Sequence, residues 1–336
     1  MWRRAIVIAG LAAASGAAMA GNPYYNFRPT PLSFKCTIML CKAEAAMLEG
    51  YETLAVQFAD QVIANDPHDR VAARLIRAQA NNYRHHYEEA AADAEAVMPD
   101  PDAKGVQVAE AIVIRGRTYS LRRAFDKARA DYSAVIAKYK DEGSSYTDMV
   151  TDAYAWRSMD YAILGDYDAA LADANAAMAL EPDDPNAYLN RGFVYFAQGQ
   201  YKLAAADFAK SQSMRPGFDA VEWTHLANLH AGVDDWPQFA TDAGKLKLDE
   251  WPGIMLKLYL GQATVHDVDV KVHENDEFGY EATDRECSAS FAKAQWYATV
   301  QHDKAEALQL YRHMVNVCPL SVNVSIAERA VKAGAP

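Results

Sequence analysis

Between residues 36 and 321 the apolar residues recur mostly at intervals of three and four, the spacing that lines one face of an α-helix. These amphipathic runs come in pairs. Within a pair the pattern breaks at short polar or glycine-bearing steps such as Gly165-Asp166 and Gly199-Gln200, where one helix has to stop and the next reverse. Between pairs, Asp66-Pro67 and Arg215-Pro216 stop the second helix, because proline has no N–H to give and its ring collides with the preceding turn. The pattern predicts an all-α chain built from antiparallel helix pairs.

The pairs repeat at a fixed length. Tyr119, Tyr161 and Tyr195 are each followed six residues later by an aromatic, Phe125, Tyr167 and Tyr201, and three further on by Ala128, Ala170 and Ala204. The second and third copies lie 34 residues apart, and the first is offset by 42, an eight-residue excess that Lys140–Tyr146 has the composition to absorb. In one register, residues 185–218 place Tyr188, Gly192, Tyr195, Ala204, Phe208 and Pro216 at positions 4, 8, 11, 20, 24 and 32. Residues 151–184 and 109–142 follow the same register. A 34-residue repeat with these residues resembles the tetratricopeptide repeat, here of an exported bacterial type, and the resemblance implies an α-solenoid of stacked helix pairs in a right-handed superhelix.

Weaker copies extend the array. Residues 36–108 hold two degenerate repeats, with Ala43, Ala55 and Ala59 in the first and Ala78, Tyr87, Ala90 and Ala94 in the second. Residues 219–286 hold eroded helices, with Phe239 where the family has a small alanine, and an acidic loop. Residues 287–321 recover the pattern through Phe291, Ala307 and Tyr311, and 322–336 read as a tail.

Composition changes the picture at the ends. Met1-Trp2-Arg3-Arg4, a short apolar stretch and Ala18-Met19-Ala20 have the form of a secretory signal with a cut after Ala20, leaving 21–35 as an N-terminal extension. The reading places the protein in the periplasm or outside the cell, with no membrane insertion once the signal is removed. The net charge is −12, and it becomes −14 without Arg3 and Arg4. A field of that sign argues against nucleic acid as a partner.

In an oxidising compartment four cysteines are best read as paired. Cys287 and Cys318 fall where the first helix of the last repeat begins and the second ends, so a bridge there would staple that repeat, worth about 3.5–4 kcal/mol in the loop-entropy treatment. Cys36 and Cys41 can pair only if the segment between them is not regular helix; two thiols are the alternative. No nucleophile elbow, phosphate loop, zinc-hydrolase or dinucleotide fingerprint occurs, so neither catalysis nor a cofactor is expected. The group from His266 to Glu277, with Asp267, Asp269, His273, Glu274 and Asp276, has ligand residue types but no known metal spacing, and reads as a solvated acidic loop, with metal binding or catalysis there the remote alternative. His85-His86 reads as an exposed turn.

The family resemblance implies that the first helix of each repeat lines a concave groove. Carried onto this sequence, that face comprises Glu110, Val113, Arg117 and Ser120; Asp152, Trp156, Met159 and Ile163; Asn186, Leu189, Asn190, Phe193 and Phe196; and Thr224, His225 and Asn228. Aromatic pockets beside side-chain amides suit an extended protein or peptide partner. Trp156, Phe193 and Phe196 are its expected exposed anchors, the alternative being that residues such as Phe196 and Asn190 pack against the neighbouring repeat. The clamp with which some family members grip acidic chaperone tails is absent, since Ala155, Met159, Val221 and His225 occupy its basic and amide places. Self-assembly into a homo-oligomer is a second reading.

Overall fold

The computed structural model describes residues 37–48, 50–274 and 282–334, and over these it contains 17 α-helices and no strand. The first five pairs are α1 (Ile38–Leu48) with α2 (Glu52–Asn65), α3 (Arg70–Tyr83) with α4 (Tyr87–Val97), α5 (Gly105–Leu121) with α6 (Phe125–Tyr139), α7 (Thr147–Leu164) with α8 (Tyr167–Leu180), and α9 (Pro185–Ala197) with α10 (Tyr201–Met214). Then follow α11 (Phe218–His230) with α12 (Trp236–Ala243), α13 (Gly253–Tyr259) with α14 (Val265–His273), α15 (Ala282–Thr299) with α16 (Lys304–Val317), and a last helix α17 (Val322–Ala333). The eight-residue excess is taken up by a bend at Gly143, a 3₁₀ turn over Ser144–Tyr146 and an early start to α7, with the Tyr146 ring stacked on Tyr139 at 4.7 Å. The chain is an all-α solenoid.

Every pair turns through one residue in left-handed conformation: Gly50, His85, Arg123, Gly165, Gly199, Gly232, Gly261 and His302, with φ between 56° and 84°. The residue after it donates back to the helix it has just left, as in Asp166 N to Tyr161 O at 2.9 Å and Gln200 N to Tyr195 O at 2.8 Å, the long bond of a Schellman cap. In the three well-matched repeats the recurrent tyrosine, Tyr119, Tyr161 or Tyr195, supplies the carbonyl that closes the turn. Left-handed backbone favours glycine, yet His85 and Arg123 hold it as full side chains.

In the three well-matched repeats the core is built by volume exchange between positions 8 and 24. A Cβ on Gly116 would lie 2.6 Å from the Tyr132 ring, and one on Gly192 would lie 2.6 Å from the Phe208 ring. Where position 24 is the small Ala174, position 8 carries Ser158, whose hydroxyl donates to Ala170 O at 2.7 Å. The glycines therefore answer a ring opposite as much as the alanine at position 20.

A second recurrence is polar. Arg77, Arg115, Arg157 and Arg191, at position 7, each grip the aspartate 16 residues on, Asp93, Asp131, Asp173 and Asp207, through two bonds of 2.6–2.8 Å. Three of them also reach the preceding repeat: Arg77 to Asp60, Arg157 to Ser133 and Arg191 to Asn175. Each of these three arginines ties its own helix pair and the neighbouring pair together. In the first repeat the same two positions hold Lys42 and Phe58, with the ammonium 5.5 Å from the ring.

The C-terminal half bends back on the array. His85 Nε2 lies 3.2 Å from Asp284 Oδ1, 199 residues away, and its Nδ1 meets the Tyr87 hydroxyl at 2.8 Å; His85 is half-buried, not an exposed turn residue. Arg123 pairs with Glu328 on α17, 205 residues away. The segment read as a tail is thus a helix, with Val322, Val324 and Ala327 in the core. The part of the acidic loop within the described residues is also helical, capped where the Thr264 hydroxyl and Asp267 exchange bonds. Cys287 and Cys318 form a disulfide with Cα atoms 5.8 Å apart. Cys41 is disulfide-bonded as well; Cys36 and the proposed signal lie outside the described residues.

Candidate functional site

The first helices α3, α5, α7 and α9 stand side by side and leave a recess in two joined halves. Gln79, Glu110, Val113, Arg117, Asp152 and Trp156 line one half. Thr151, Asp152, Ala155, Trp156, Met159, Asp184, Asn186 and Asn190 line the other, which is open to solvent. Asp152 and Trp156 belong to both. Their positions on α7, four apart, put the carboxyl and the indole on one helix face.

Arg117 is the unusual group. It is only 5% exposed, and unlike the arginines at position 7 it forms no ion pair among the described residues. Its guanidinium lies between two rings, 4.4 Å from the centre of Tyr83 and 5.1 Å from that of Trp156, and its Nε has no partner. Stacking of this kind partly replaces lost hydration.

The acids beside it are strained electrostatically. Burial pushes the Glu110 carboxyl up to about 7, although Gln79 donates to it at 2.9 Å, and Glu44 adds to the rise. Burial, then Glu181, pushes Asp152 up to about 8 against the opposing pull of Arg117. Further polar atoms are left over: Thr151 Oγ1 and Asn190 Oδ1, on residues 4% and 9% exposed, have no hydrogen-bond partner.

The predicted face is thus divided. Arg117, Asp152, Trp156, Met159, Asn186 and Asn190 come together around the recess. Phe193 and Phe196, expected as exposed anchors, are 3% and 5% exposed, because Trp223 from the next pair fills the space above them, with ring centres at 4.9 and 5.2 Å. Leu189 is buried in the same core. His225 is also buried, bonded to Asp235 at 2.7 Å and stacked on Phe239 at 3.8 Å, which explains how a large ring replaces the expected small alanine. Asn228 donates to Asp235 at 2.8 Å and stands apart from the recess. Gln79 and Tyr83 sit at groove positions of the weak second repeat and become visible only when its register is carried through. Among the described residues no group of three metal-ligating side chains assembles, and no helix is long and apolar enough to cross a membrane.

Models of the tetratricopeptide repeat match residues 160–199 and 185–218. Over residues 160–218 the chain is built of tetratricopeptide repeats. No curated protein sequence matches it. Among solved structures, a human IFIT1 dimer with m7Gppp-AAAA is similar over 90% of this chain and 64% of its own, at 12% identity and a TM-score of 0.54. A tetratricopeptide repeat protein from Parabacteroides merdae is 13% identical over 88% of this chain and 96% of its own, with a TM-score of 0.47. A thermophilic one from Thermus thermophilus is 16% identical over 58% and 98%, with a TM-score of 0.46. At such identities the IFIT1 likeness concerns the fold alone.

Proposed function

We propose that this tetratricopeptide array is a non-enzymatic scaffold that holds an extended segment of a protein partner in the recess between α5, α7 and α9, and that it works in the cell envelope. The observation that carries the reading is the set of unpartnered polar atoms on Arg117, Thr151 and Asn190, all nearly buried and all bordering an open recess beside the Trp156 ring. A buried polar group without a partner costs about 1–3 kcal/mol, and a bound peptide backbone or side chain would remove that cost. Arrays of this family commonly mediate protein–protein contacts, which agrees. The negative net charge disfavours nucleic acid as the partner. Support for export comes from the signal-like residues 1–20 and from cystine pairing.

The test is affinity capture from an envelope fraction with wild-type protein and with Asp152→Ala plus Trp156→Ala. A partner held by wild type and lost from the variant is the expected result. The same partner held equally by both removes the recess from the function. Sequencing the N-terminus of the protein purified from fractionated cells tests export, with Gly21 expected as the first residue.

A further inference from the structure

The half of the recess facing α9 is rich in acceptors, and no basic side chain lines it. Asp152 and Asp184 supply carboxyls, Asn190 and Thr151 supply unpartnered oxygens, and Trp156 and Met159 supply soft, polarisable walls; no lysine or arginine is among its lining residues. Two bases border this half and are already engaged: Arg117, in the adjoining half, lies against the Tyr83 and Trp156 rings, and Arg215 donates to Asn186 Oδ1. Asp184 already accepts from Asn186 N at 3.0 Å, which leaves Asp152 as the carboxyl open to a ligand.

We infer that this half of the recess is a cation subsite that takes the ammonium of a lysine side chain on the bound peptide. The inference rests on the proposed peptide groove and adds to it the chemistry of the residue recognised. Three acceptors on three different residues, Asp152, Asn190 and Thr151, match the three divergent donors of an ammonium better than the planar fork of a guanidinium. An indole beside them adds cation–π attraction. The ammonium also supplies what the site lacks electrostatically. The Asp152 carboxyl is held up at about 8 by burial and by Glu181, with Asp148 and Asp184 adding and Arg117 opposing. An arriving cation drives off that proton, so binding strengthens as pH rises from 6 toward 9.

The experiment is an array of randomised decapeptides, acetylated at the N-terminus and amidated at the C-terminus, in which every lysine-bearing member has a twin carrying acetyl-lysine. The full chain is applied as wild type, as Asp152→Asn, and as Asp168→Asn, which removes a charge from an exposed position on α8. The expected result is that binders are enriched in lysine, that acetylation and Asp152→Asn each weaken binding about tenfold or more, and that Asp168→Asn does not. Binders indifferent to acetylation overturn the cation subsite and leave the peptide groove standing. An array with no binder at all overturns both. The acetyl-lysine comparison is made on wild-type protein, so it holds even if Asp152→Asn misfolds.

Discussion

In residues 70–214 every helix pair carries an arginine at position 7 and an aspartate 16 residues later, joined by two short bonds. In residues 218–333 the same places hold Leu226 with Asp242, and later Ala294 with Leu310. The two regions cohere by different means. The first uses a polar tie renewed within each repeat, and three of its four arginines also reach the preceding pair. The second gives up the period: α12 and α13 shrink to 8 and 7 residues, and Trp223, Phe291, Phe239 and Tyr259 fill the spaces with rings while one disulfide closes the last pair. Regular repeats yield a row of equivalent first helices, and only such a row produces a continuous recess. The aromatic region buries the first-helix residues at the boundary, Phe193 and Phe196 on α9 and its own His225 on α11.

The comparison can be broken most forcefully at the disulfide. Cys287→Ser with Cys318→Ser should cost about 3.5–4 kcal/mol by loop entropy, and hydrogen exchange should show α15–α17 opening first while α5–α10 stay protected. Uniform loss of protection would mean that the two regions are one cooperative unit. Next, Asp173→Ala leaves Arg157 without its carboxylate partner in a half-buried place, and should cost about 1.5–3 kcal/mol in chemical denaturation. A change within a few tenths would reduce the arginine tie to a surface ion pair. Gly192→Ala presses a methyl into the Phe208 ring and should cost about 1–3 kcal/mol, partly recovered in the double variant with Phe208→Leu.

The pH dependence follows from four acids, Asp160 and Glu222 buried and Glu110 and Asp152 half-buried. Burial holds Glu110 up at about 7 and Asp152, Asp160 and Glu222 up at about 8. Between the ordinary carboxyl range and those values the folded chain keeps protons that the unfolded chain releases. Their stabilisation is complete below the ordinary range and is lost as pH rises through about 8. Thermal melts should therefore be higher near pH 5.5 than near pH 8.5, and Asp160→Asn should flatten the slope; a melt that rises with pH contradicts the assignment. The smallest effect expected is at the half-exposed contact between the two regions. Arg123→Ala should cost about 0–1 kcal/mol, yet solution scattering should detect a more open particle if Arg123–Glu328 helps close the array.

Much of this was legible in the sequence because repetition amplifies weak signals. One tyrosine, Tyr195, predicts little, but three in register at Tyr119, Tyr161 and Tyr195 fix the helix pairs. The arginine–aspartate tie was equally open to reading, since its 16-residue spacing occurs in four successive copies, but it falls outside the small-residue pattern by which repeats are recognised. The turns at His85, Arg123 and His302 escaped because a glycine rule misses full side chains in left-handed backbone. Phe193 and Phe196 could not be placed from their own repeat. Their exposure depends on Trp223, which stands at position 4 of the next pair, where Tyr154 and Tyr188 stand in the pairs before it, so it is a contact between repeats and not within one. The C-terminal helix at 322–333 lies beyond the last repeat, and its burial depends on contacts that no period encodes.

The recess as a binding face is tested most directly by placing a photo-reactive amino acid at Ala155, inside the recess, and at Ala209, exposed on α10, and irradiating living cells. The account predicts a discrete crosslink to a protein partner from Ala155 and none from Ala209, with the Ala155 crosslink lost when Asp152→Asn is added. A partner trapped from Ala209 alone would contradict the binding face assigned here, and a second copy of this chain trapped from Ala155 would make the recess a self-assembly surface.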